Sequence, residues 1–319
     1  MEYNRRNSRL LSLAGSRGAY AKALEEIVKN DKNVMVMTAD LGQLTGISCI
    51  ADKYPQQYVN IGIAEQNMIG VAAGMAKDGW NVYATTYANF LTMRAYEQIR
   101  INLGYMQLPV KLVGSSGGLG MEILGNTHYA IEDMALMRAI PGMTVISPAD
   151  GWEIIKAMEV MRDYNRPVYL RLSGEMNYPI IYKEDYEFRI GHTVEMRDGE
   201  DITLFATGTM VFQALRAADI LEKEGIRSKI VNVHTIKPLE PGELYEAIKG
   251  KKLFATIEEH SVVGGLGSAV LEALAPYTTP KAILCGVPDT FLKVGCYPYL
   301  LEQCKLLGEQ IAETIQKEL

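Results

Sequence analysis

Three side chains of this sequence have types and positions that suit proton-transfer chemistry. Asp40 closes the apolar run VMVMTAD, Glu65 opens the helical pattern AEQNMIGVAAGMAKDG, and His128 follows the glycine-rich stretch GSSGGLGMEILG. Carboxyl and imidazole groups can remove and return protons, and an imidazole can also donate to a developing alkoxide. Each type also has an ordinary structural role, because a glutamate in a first helical turn stabilises the helix dipole and an aspartate at a strand end commonly forms a turn. Taken alone, these residues leave both interpretations open.

The glycine-rich stretches and the cysteines add no recognisable phosphate or metal motif. GSSGGLGMEILG (114–125) and VVGGLGSAVLEAL (262–274) match neither a phosphate-binding P-loop nor a clean dinucleotide fingerprint. The four cysteines are scattered, with no CxxC pair and no Cys/His cluster of metal-ligand spacing. We therefore expect free thiols in a reducing cytoplasm and no metal ligands in this chain.

The elements that must position these residues alternate between short apolar runs and helical patterns. Apolar runs begin near residues 34, 81, 109, 143 and 167, and helical patterns such as GAYAKALEEIVKN and TMRAYEQIRINLG lie before and between them. The last pattern of the chain, LLEQCKLLGEQIAETIQKEL, predicts one long C-terminal helix. This alternation predicts a parallel sheet flanked by helices, and runs that are apolar at consecutive positions suit strands covered on both faces. The stretch IIYKEDYEFRI has no helical period and suits an interdomain linker at residues 181–190. We predict an α/β protein of two consecutive domains, residues 1–180 and 191–319, each with a mostly parallel sheet flanked by helices.

Composition and charge narrow the possible functions. With 319 residues, 48% of them apolar and 22% charged, the chain resembles a globular protein of two domains, neither disordered nor membrane-spanning. The net charge of -6 provides no basic field for nucleic acid. The first apolar stretch, Leu10 to Ala14, is too short for the core of a signal peptide. We expect no nucleic-acid partner, no membrane association and no export.

Longer sequence blocks resemble a known family. GIAEQNM, TYANFLTMRAYEQIR and NTHYAIEDMALMRAIPGMTVISPAD together resemble the pyrimidine-binding domain of transketolase and of 1-deoxyxylulose-5-phosphate synthase. TIEEHSVVGGLGSAVLEAL looks like the C-terminal domain of transketolases. The matched blocks run almost from end to end of the chain. The resemblance implies that residues 1–180 bind the pyrimidine of thiamine diphosphate and that residues 191–319 are a transketolase C-terminal domain.

The resemblance also implies roles for individual residues. In that family the glutamate of the GIAEQ block, here Glu65, hydrogen-bonds the aminopyrimidine ring and favours the tautomer that removes the thiazolium proton. His128 matches the family histidine that faces the donor carbonyl, so these two residues are the predicted catalytic pair. The predicted cofactor contacts are Glu65 and four further residues. Asp40 matches an aspartate near the thiazolium, and the side chains that match positions packed on the pyrimidine ring are Tyr87, Phe90 and Met93.

One part of the family's site is missing. Thiamine diphosphate enzymes hold the diphosphate through a divalent metal bound at a Gly-Asp-Gly motif, and this chain contains no such triplet. In fused transketolases the motif lies in the N-terminal half of the protein. The resemblance therefore implies a separate N-terminal subunit that holds Mg²⁺ and the diphosphate, in an α2β2 assembly whose sites span an interface.

The acceptor end of the site departs from the family. Arg17 keeps the position of an early phosphate-binding arginine, and Arg171 is near a second, lost arginine that it could replace. Elsewhere the family's serine, histidine, aspartate and arginine are replaced, and the predicted substrate-binding positions are Arg17, Leu44, Ser116, Leu124, His128, Arg171 and Gly174. Fewer ionic contacts predict weak binding of an ordinary phosphosugar.

These observations predict a transketolase-type transferase that moves a two-carbon ketol or acyl unit to an atypical acceptor and is active only with its partner. A β-type subunit of a 2-oxo acid decarboxylase or dehydrogenase is the alternative, and His128 with the TMRAYEQIR block favours transketolase. A purely scaffolding role is disfavoured because Asp40, Glu65 and His128 are all retained.

Overall fold

The computed structural model describes residues 1–174 and 179–319, and these residues form two compact units. The first unit comprises Met1–Gly117 and Leu136–Arg189. The second comprises Gly118–Ala135 and Ile190–Leu319. Each unit contains a mostly parallel sheet with helices packed on it, so the predicted fold class is confirmed. A short segment from the middle of the chain thus belongs to the second unit, which the sequence did not predict.

The first unit is built on a fully parallel sheet. Its strands are β1 (Val34–Thr38), β2 (Tyr58–Asn60), β3 (Asn81–Tyr87), β4 (Lys111–Gly117), β5 (Thr144–Ile146) and β6 (Val168–Ser173). They lie side by side in the order β5-β6-β4-β3-β1-β2. Every residue of β1, β4 and β6 is buried, as expected for strands with helices on both faces. Only the short β2 was missed by the sequence pattern.

Six helices lie in the described residues of the N-terminal part of the chain. They are α1 (Arg5–Asn30), α2 (Ser48–Lys53), α3 (Glu65–Lys77), α4 (Tyr96–Gln98), α5 (Asp133–Ala139) and α6 (Gly151–Arg162). The pattern GAYAKALEEIVKN predicted only the second half of α1. The helix begins earlier because the Asn4 side chain caps it by accepting from the Asn7 amide, and a non-helical residue at Gly15 divides its two halves.

The segment after β3 differs from the simple helix that TMRAYEQIRINLG predicted. Turns of π-helix at Phe90–Arg94 and Ile99–Tyr105 flank α4. Because a π turn contains an extra residue, it rotates the side chains that follow it relative to a regular helix. This rotation sets the directions of the Phe90 ring and the Arg94 guanidinium.

The second unit contains six strands and five helices of the C-terminal part of the chain. The strands are β7 (Val194–Arg197), β8 (Ile202–Ala206), β9 (Ser228–Asn232), β10 (Thr235–Lys237), β11 (Leu253–Ser261) and β12 (Lys281–Val287). The helices are α7 (Met210–Lys223), α8 (Pro241–Ile248), α9 (Leu266–Leu274), α10 (Tyr297–Gln303) and α11 (Gly308–Glu318). Its sheet has the order β12-β11-β8-β9-β7, in which only β7 is antiparallel to its neighbour. The long C-terminal helix that the sequence predicted is broken between α10 and α11, where Lys305 has a φ of 57°.

The stretch interpreted as a linker is packed on the first unit over part of its length. Asp150, the N-cap of α6, accepts hydrogen bonds from the Ile181 and Tyr182 amides at 2.9 and 3.0 Å. Glu153 accepts from the hydroxyls of Tyr182 and Tyr186, both at 2.6 Å. These contacts fix residues 181–186 against α6. The functional boundaries of the two domains remain predictions.

Across residues 1–174 and 179–319, the structure has no helix with both the length and the apolar character needed to cross a bilayer.

Candidate active site

The first unit brings five predicted residues to one edge of its sheet. Because the strands are parallel, their carboxyl ends meet there, and ligands of open α/β sheets bind beyond such ends. From β6 across to β2, the residues at these ends are Gly174, Ser116, Tyr87, Asp40 and, in the loop and helix after β2, Glu65. The predicted cofactor contacts are therefore neighbours in the fold.

Glu65 is the first residue of α3 and is buried, with 2% of its surface exposed. The Arg94 guanidinium donates to Glu65 Oε1 at 2.8 Å, and 47% of the Arg94 side chain remains exposed. The Arg94 backbone carbonyl also accepts from the side-chain amide of Gln66 at 3.1 Å. Within the described residues, Arg94 is the only group that donates to Glu65. A buried carboxylate with one cationic partner keeps acceptor capacity for a ligand.

The predicted ring contacts surround this pair. Tyr87 is buried at the end of β3, and its ring centroid lies 5.9 Å from that of Phe90 at an angle of 49°. The Arg94 guanidinium lies over the Phe90 ring, 4.3 Å from the centroid. Met93 is 40% exposed and lies one residue before Arg94 in the same π turn. The turn therefore presents an aromatic face, a thioether and a cation close to the glutamate.

Asp40 stands just after β1 with a left-handed φ of 60°. Asn60, at the end of the adjacent strand, fixes it twice: the Asn60 side chain accepts from the Asp40 amide and donates to the Asp40 carboxylate, each at 3.0 Å. The same Asn60 oxygen accepts from the amide of Gly62 at 3.0 Å, in the loop that leads to Glu65. Asn60 thus ties the predicted thiazolium contact to the segment that carries the glutamate.

Sequence reasoning missed Asn60 and Arg94. Asn60 lies in the same block as Glu65, NIGIAEQ, and Arg94 lies in the block TYANFLTMRAYEQIR, in which only Tyr87, Phe90 and Met93 are predicted contacts. The signal for Arg94 was its place in a run that also carries Phe90. Its meaning depends on the π turn, which the sequence did not predict.

Arg17, Leu44 and Gly174 belong to one region of the first unit. Arg17 donates to the backbone oxygen of Leu44 at 2.8 Å, and the Ser16 hydroxyl donates to the backbone oxygen of Gly174 at 2.8 Å. The Leu44 side chain is 52% exposed. Gly174 has a φ of 80°, a conformation that arginine adopts only with strain. The backbone at this position therefore suits glycine.

Ser116 and Arg171 are buried on neighbouring strands, β4 and β6. Ser116 has a φ of 57°, and its hydroxyl has no hydrogen-bond partner among the described residues. Arg171 is 1% exposed and packs against Gly117, where a Cβ atom would lie 2.8 Å from its Cγ. A buried hydroxyl without a partner is a natural place for a ligand hydroxyl or an ordered water. The burial of Arg171 leaves Arg17 as the more accessible cation of the two.

His128 and Leu124 lie on the segment Gly118–Ala135, which belongs to the second unit. A 3₁₀-helical stretch, Glu122–Thr127, leads into the histidine, and the His128 amide donates to the Gly125 oxygen at 2.8 Å. The Thr127 hydroxyl lies 2.9 Å from His128 Nδ1 and fixes the ring orientation. The histidine is half-buried, and Leu124 is 51% exposed.

The first unit offers groups that could bind an aminopyrimidine. The buried carboxylate of Glu65 can accept from a ring nitrogen that carries a proton, and Tyr87 and Phe90 provide an aromatic wall. No three His, Cys, Asp or Glu side chains are grouped so that they could hold a metal ion, as far as residues 1–174 and 179–319 are concerned.

Family models match most of the chain. Residues 14–179 match the pyrimidine-binding domain of transketolase, and residues 191–311 match the transketolase C-terminal domain.

Two curated relatives are named as subunits of transketolases. The apulose-4-phosphate transketolase subunit of Phocaeicola vulgatus is 34% identical over 87% of this chain and 89% of its own. The 6-deoxy-6-sulfo-D-fructose transketolase subunit SqwH of a Clostridium species is 36% identical over 92% of this chain and 91% of its own.

A solved structure has the same fold. It is described as a split gene transketolase in an inactive beta4 tetramer, and it is 37% identical with a TM-score of 0.86. The superposition covers 95% of this chain and 97% of that one.

Proposed function

This chain belongs to the transketolase family, and we propose that it is the aminopyrimidine-binding subunit of a split transketolase that depends on thiamine diphosphate. The observation that carries the proposal is Glu65, a buried carboxylate with a single hydrogen-bond donor among the described residues, at the ligand-binding edge of a parallel sheet. A buried glutamate that only supports the fold needs structural hydrogen bonds to offset the cost of its burial. Glu65 instead keeps acceptor capacity for a ligand.

Each residue of the first unit has a definite task in this proposal. Glu65 accepts a hydrogen bond from the pyrimidine ring and so sets the protonation of that ring. Arg94 holds the carboxylate in place from its solvent side, and Tyr87 and Phe90 pack on the ring and exclude water. Thiamine diphosphate, when bound, would supply carbanion chemistry at its thiazolium carbon. Asp40, held by Asn60, is the carboxylate assigned to the neighbourhood of that carbon.

His128 supplies the second proton-transfer group in the proposal. Transfer of a two-carbon unit requires a proton to leave and return at the oxygen of the donor carbonyl, and an imidazole can perform both steps. The Thr127 hydroxyl at Nδ1 fixes which way the ring faces.

A second chain completes the site in this proposal. Both named relatives are subunits, and the similar tetramer built of β chains is described as inactive. In this chain Ile63 and Tyr105 are 80% and 83% exposed, and Gly70 and Gly74 lie on the exposed side of α3 with space beyond them. An apolar, glycine-lined surface beside Glu65 suits close approach of another subunit. That second chain would hold Mg²⁺ and the diphosphate, in an α2β2 assembly.

The acceptor in this proposal is not an ordinary phosphosugar. Arg17 is the only accessible cation among the predicted phosphate contacts, and Leu44 and Leu124 expose apolar surface. The two relatives act, by their names, on a 4-phosphate and on a 6-sulfo sugar, so the polar end of the substrate varies within the family. A weakly charged or sulfonated acceptor would lose less than a phosphate dianion with so few cations.

Reconstitution tests the assignment of this chain as one half of an enzyme. The purified chain with thiamine diphosphate and Mg²⁺ should show no ketol transfer, and addition of an N-terminal subunit that carries a Gly-Asp-Gly motif should produce it. Full turnover by the chain alone would overturn the proposal.

Steady-state kinetics of the assembled pair test the acceptor. Ribose 5-phosphate should give a lower kcat/KM than deoxy, sulfonated or unphosphorylated aldehydes of similar length. A higher kcat/KM on ribose 5-phosphate than on all of them would contradict the acceptor assignment and leave the subunit assignment intact.

A further inference from the structure

We propose that the C-terminal domain of this chain positions His128, and that Glu259 is the residue through which it does so. The inference rests on the proposed function for the role of the histidine, and on contacts within the second unit for everything else. Glu259 does not touch the reacting groups in this scheme. It is a positioning residue.

The segment Gly118–Ala135 closes on itself at its base. Gly118 and Ala130 exchange a pair of backbone hydrogen bonds, at 2.9 and 3.0 Å, in an isolated antiparallel bridge. Within the loop so formed, the hydroxyl of Tyr129 donates to the backbone oxygen of Glu122 at 2.6 Å. The only regular structure between the two ends of the loop is one 3₁₀ stretch. Such a loop has a defined base but needs further contacts to hold its tip.

Glu259 provides the first of those contacts. It lies on β11, is 1% exposed, and accepts from the Leu119 amide at 2.6 Å and from the Tyr297 hydroxyl at 2.6 Å, with a third hydrogen bond from the Thr209 hydroxyl. Gly118 has a φ of 79°, and a Cβ atom there would lie 2.3 Å from Glu259 Oε1. The carboxylate therefore needs glycine at the base of the loop to come this close.

Two further contacts hold the tip of the loop. The Tyr297 amide donates to the Glu122 carboxylate at 3.1 Å. Asn126, two residues before His128, exchanges hydrogen bonds with the backbone of Leu292 in both directions, at 2.8 and 3.1 Å. Tyr297 therefore contacts Glu259 with its hydroxyl and the loop with its amide. It connects the buried carboxylate to the start of the 3₁₀ stretch that leads into the histidine.

The far end of the segment is attached to the same strand as Glu259. The Ser261 amide donates to the Ile131 oxygen at 2.8 Å, and the Ala135 amide lies 3.2 Å from Nε2 of the buried His260. Residues 259–261 of β11 thus hold both ends of the loop that carries His128. Because catalytic groups lose efficiency when they are misplaced by about 1 Å, a loop of this kind requires a rigid support.

Hydrogen exchange tests the positioning role without any assay of catalysis. Glu259→Gln should increase the exchange rates of amides in residues 118–130 by about tenfold or more, with the rest of the second unit little changed. Glu153→Gln is the matched control, because Glu153 also accepts from one amide, that of Ala149, and from two hydroxyls, but on the first unit. It should leave exchange in residues 118–130 unchanged. Unchanged exchange in the Glu259 variant would overturn the proposal.

The assembled pair tests the consequence for His128. Glu259→Gln should lower kcat for transfer by about ten- to a hundredfold while thiazolium proton exchange, which depends on Glu65, continues at the wild-type rate. A parallel fall of both rates, or a wild-type kcat, would overturn the positioning role. Tyr297→Phe removes one donor and retains the ring, so it should show the same pattern at smaller size if the Glu259 variant does not fold. If the wild-type pair itself shows no transfer, the proposed function fails and the hydrogen-exchange result still decides the positioning claim.

Discussion

Glu65 and Glu259 are both buried glutamates, one in each unit, yet their surroundings differ in kind. Among the described residues, the donors to Glu259 include one amide and two hydroxyls, and so do the donors to Glu153 in the first unit. Among the described residues, Glu65 accepts from Arg94 alone, and much of that side chain is in solvent. Burial by itself therefore does not mark a functional carboxylate. A buried carboxylate whose acceptor capacity is used up supports the fold, and one with capacity left is available to a ligand.

Replacement of Glu65 gives the largest expected effect. In the assembled pair, Glu65→Gln should slow thiazolium proton exchange by about 10²- to 10⁴-fold, because the general acid–base group is lost. The free energy of unfolding should change by less than about 1 kcal/mol, since Arg94 can be solvated when its partner is removed. The control for both measurements is Glu97→Gln, because Glu97 lies in the segment that carries Arg94 and pairs with Arg100 on the surface. Wild-type exchange in the Glu65 variant would show that spare acceptor capacity does not identify the functional carboxylate.

A carboxylate whose oxygens already accept from protein donors should affect stability more than activity. Glu153→Gln should lower the free energy of unfolding of the first unit by about 2–4 kcal/mol, because charge-assisted hydrogen bonds in a buried site are lost. Both tryptophans of the chain, Trp80 and Trp152, lie in that unit, so their fluorescence during urea unfolding reports on it. Glu159→Gln, on the exposed side of the same helix, should change it by less than about 0.5 kcal/mol. An unchanged free energy of unfolding in Glu153→Gln would show that the two carboxylates do not differ in this way.

One buried group in each unit should make the stability of the protein depend on pH, and the two dependences should have opposite signs. Burial lowers the pKa of His234 in the second unit to about 3 from its usual 6.5. The folded state therefore binds fewer protons than the unfolded state, and the stability this group contributes is complete above pH 6.5 and is lost as the pH falls towards 3. Burial raises the pKa of Asp150 in the first unit to about 6 from 3.8, so its contribution is complete below pH 3.8 and is lost as the pH rises through 6.

Thermal unfolding of each variant between pH 4 and 7 measures these two contributions. Each group changes stability by at most about 1.4 kcal/mol per pH unit within its window. His234→Gln should reduce the loss of stability on acidification, and Asp150→Asn, which keeps a good N-cap, should increase it. If both variants shift the pH profile in the same direction, the assignment of opposite signs is wrong.

The smallest effect is expected for the residue that holds Glu65 from outside. Arg94→Lys keeps a positive charge but loses the planar group over Phe90, and it should slow thiazolium proton exchange by about three- to tenfold. Arg100→Gln changes an exposed arginine nearby and should leave the rate unchanged. A rate as low as that of Glu65→Gln would mean that Arg94 itself takes part in proton transfer.

The sequence predicted the fold class and most strands because both depend on local patterns. Fully apolar runs such as those of β1 and β6 indicate buried parallel strands without any knowledge of their neighbours. The break between α10 and α11 was not predicted, because the amphipathic pattern continues through it while the backbone is left-handed at Lys305 and extended at Leu307. The π turns after β3 escaped for the same reason, since an extra residue per turn leaves no mark in the composition.

The site was predicted to a different depth in the two units. The position of Glu65 followed from its sequence block, but its pairing with Arg94 depends on a π turn and its burial depends on the whole sheet. In the second unit, nothing near His128 in the sequence points to Glu259, which is 131 residues away and contacts the loop through the backbone amide of Leu119. Contacts between side chains and distant backbone groups carry no sequence signature, so the support of a site is harder to predict than its reacting groups.

The attachment of residues 118–135 to the second unit has a consequence for the order of folding. Its hydrogen bonds join residues that are 140, 166 and 175 positions apart in the chain. During synthesis the loop around His128 emerges long before Glu259, Leu292 and Tyr297, so it must wait without partners while the strands beside it in the sequence can already pair. The histidine should therefore be among the last groups to reach its final position, after most of the protein has been made.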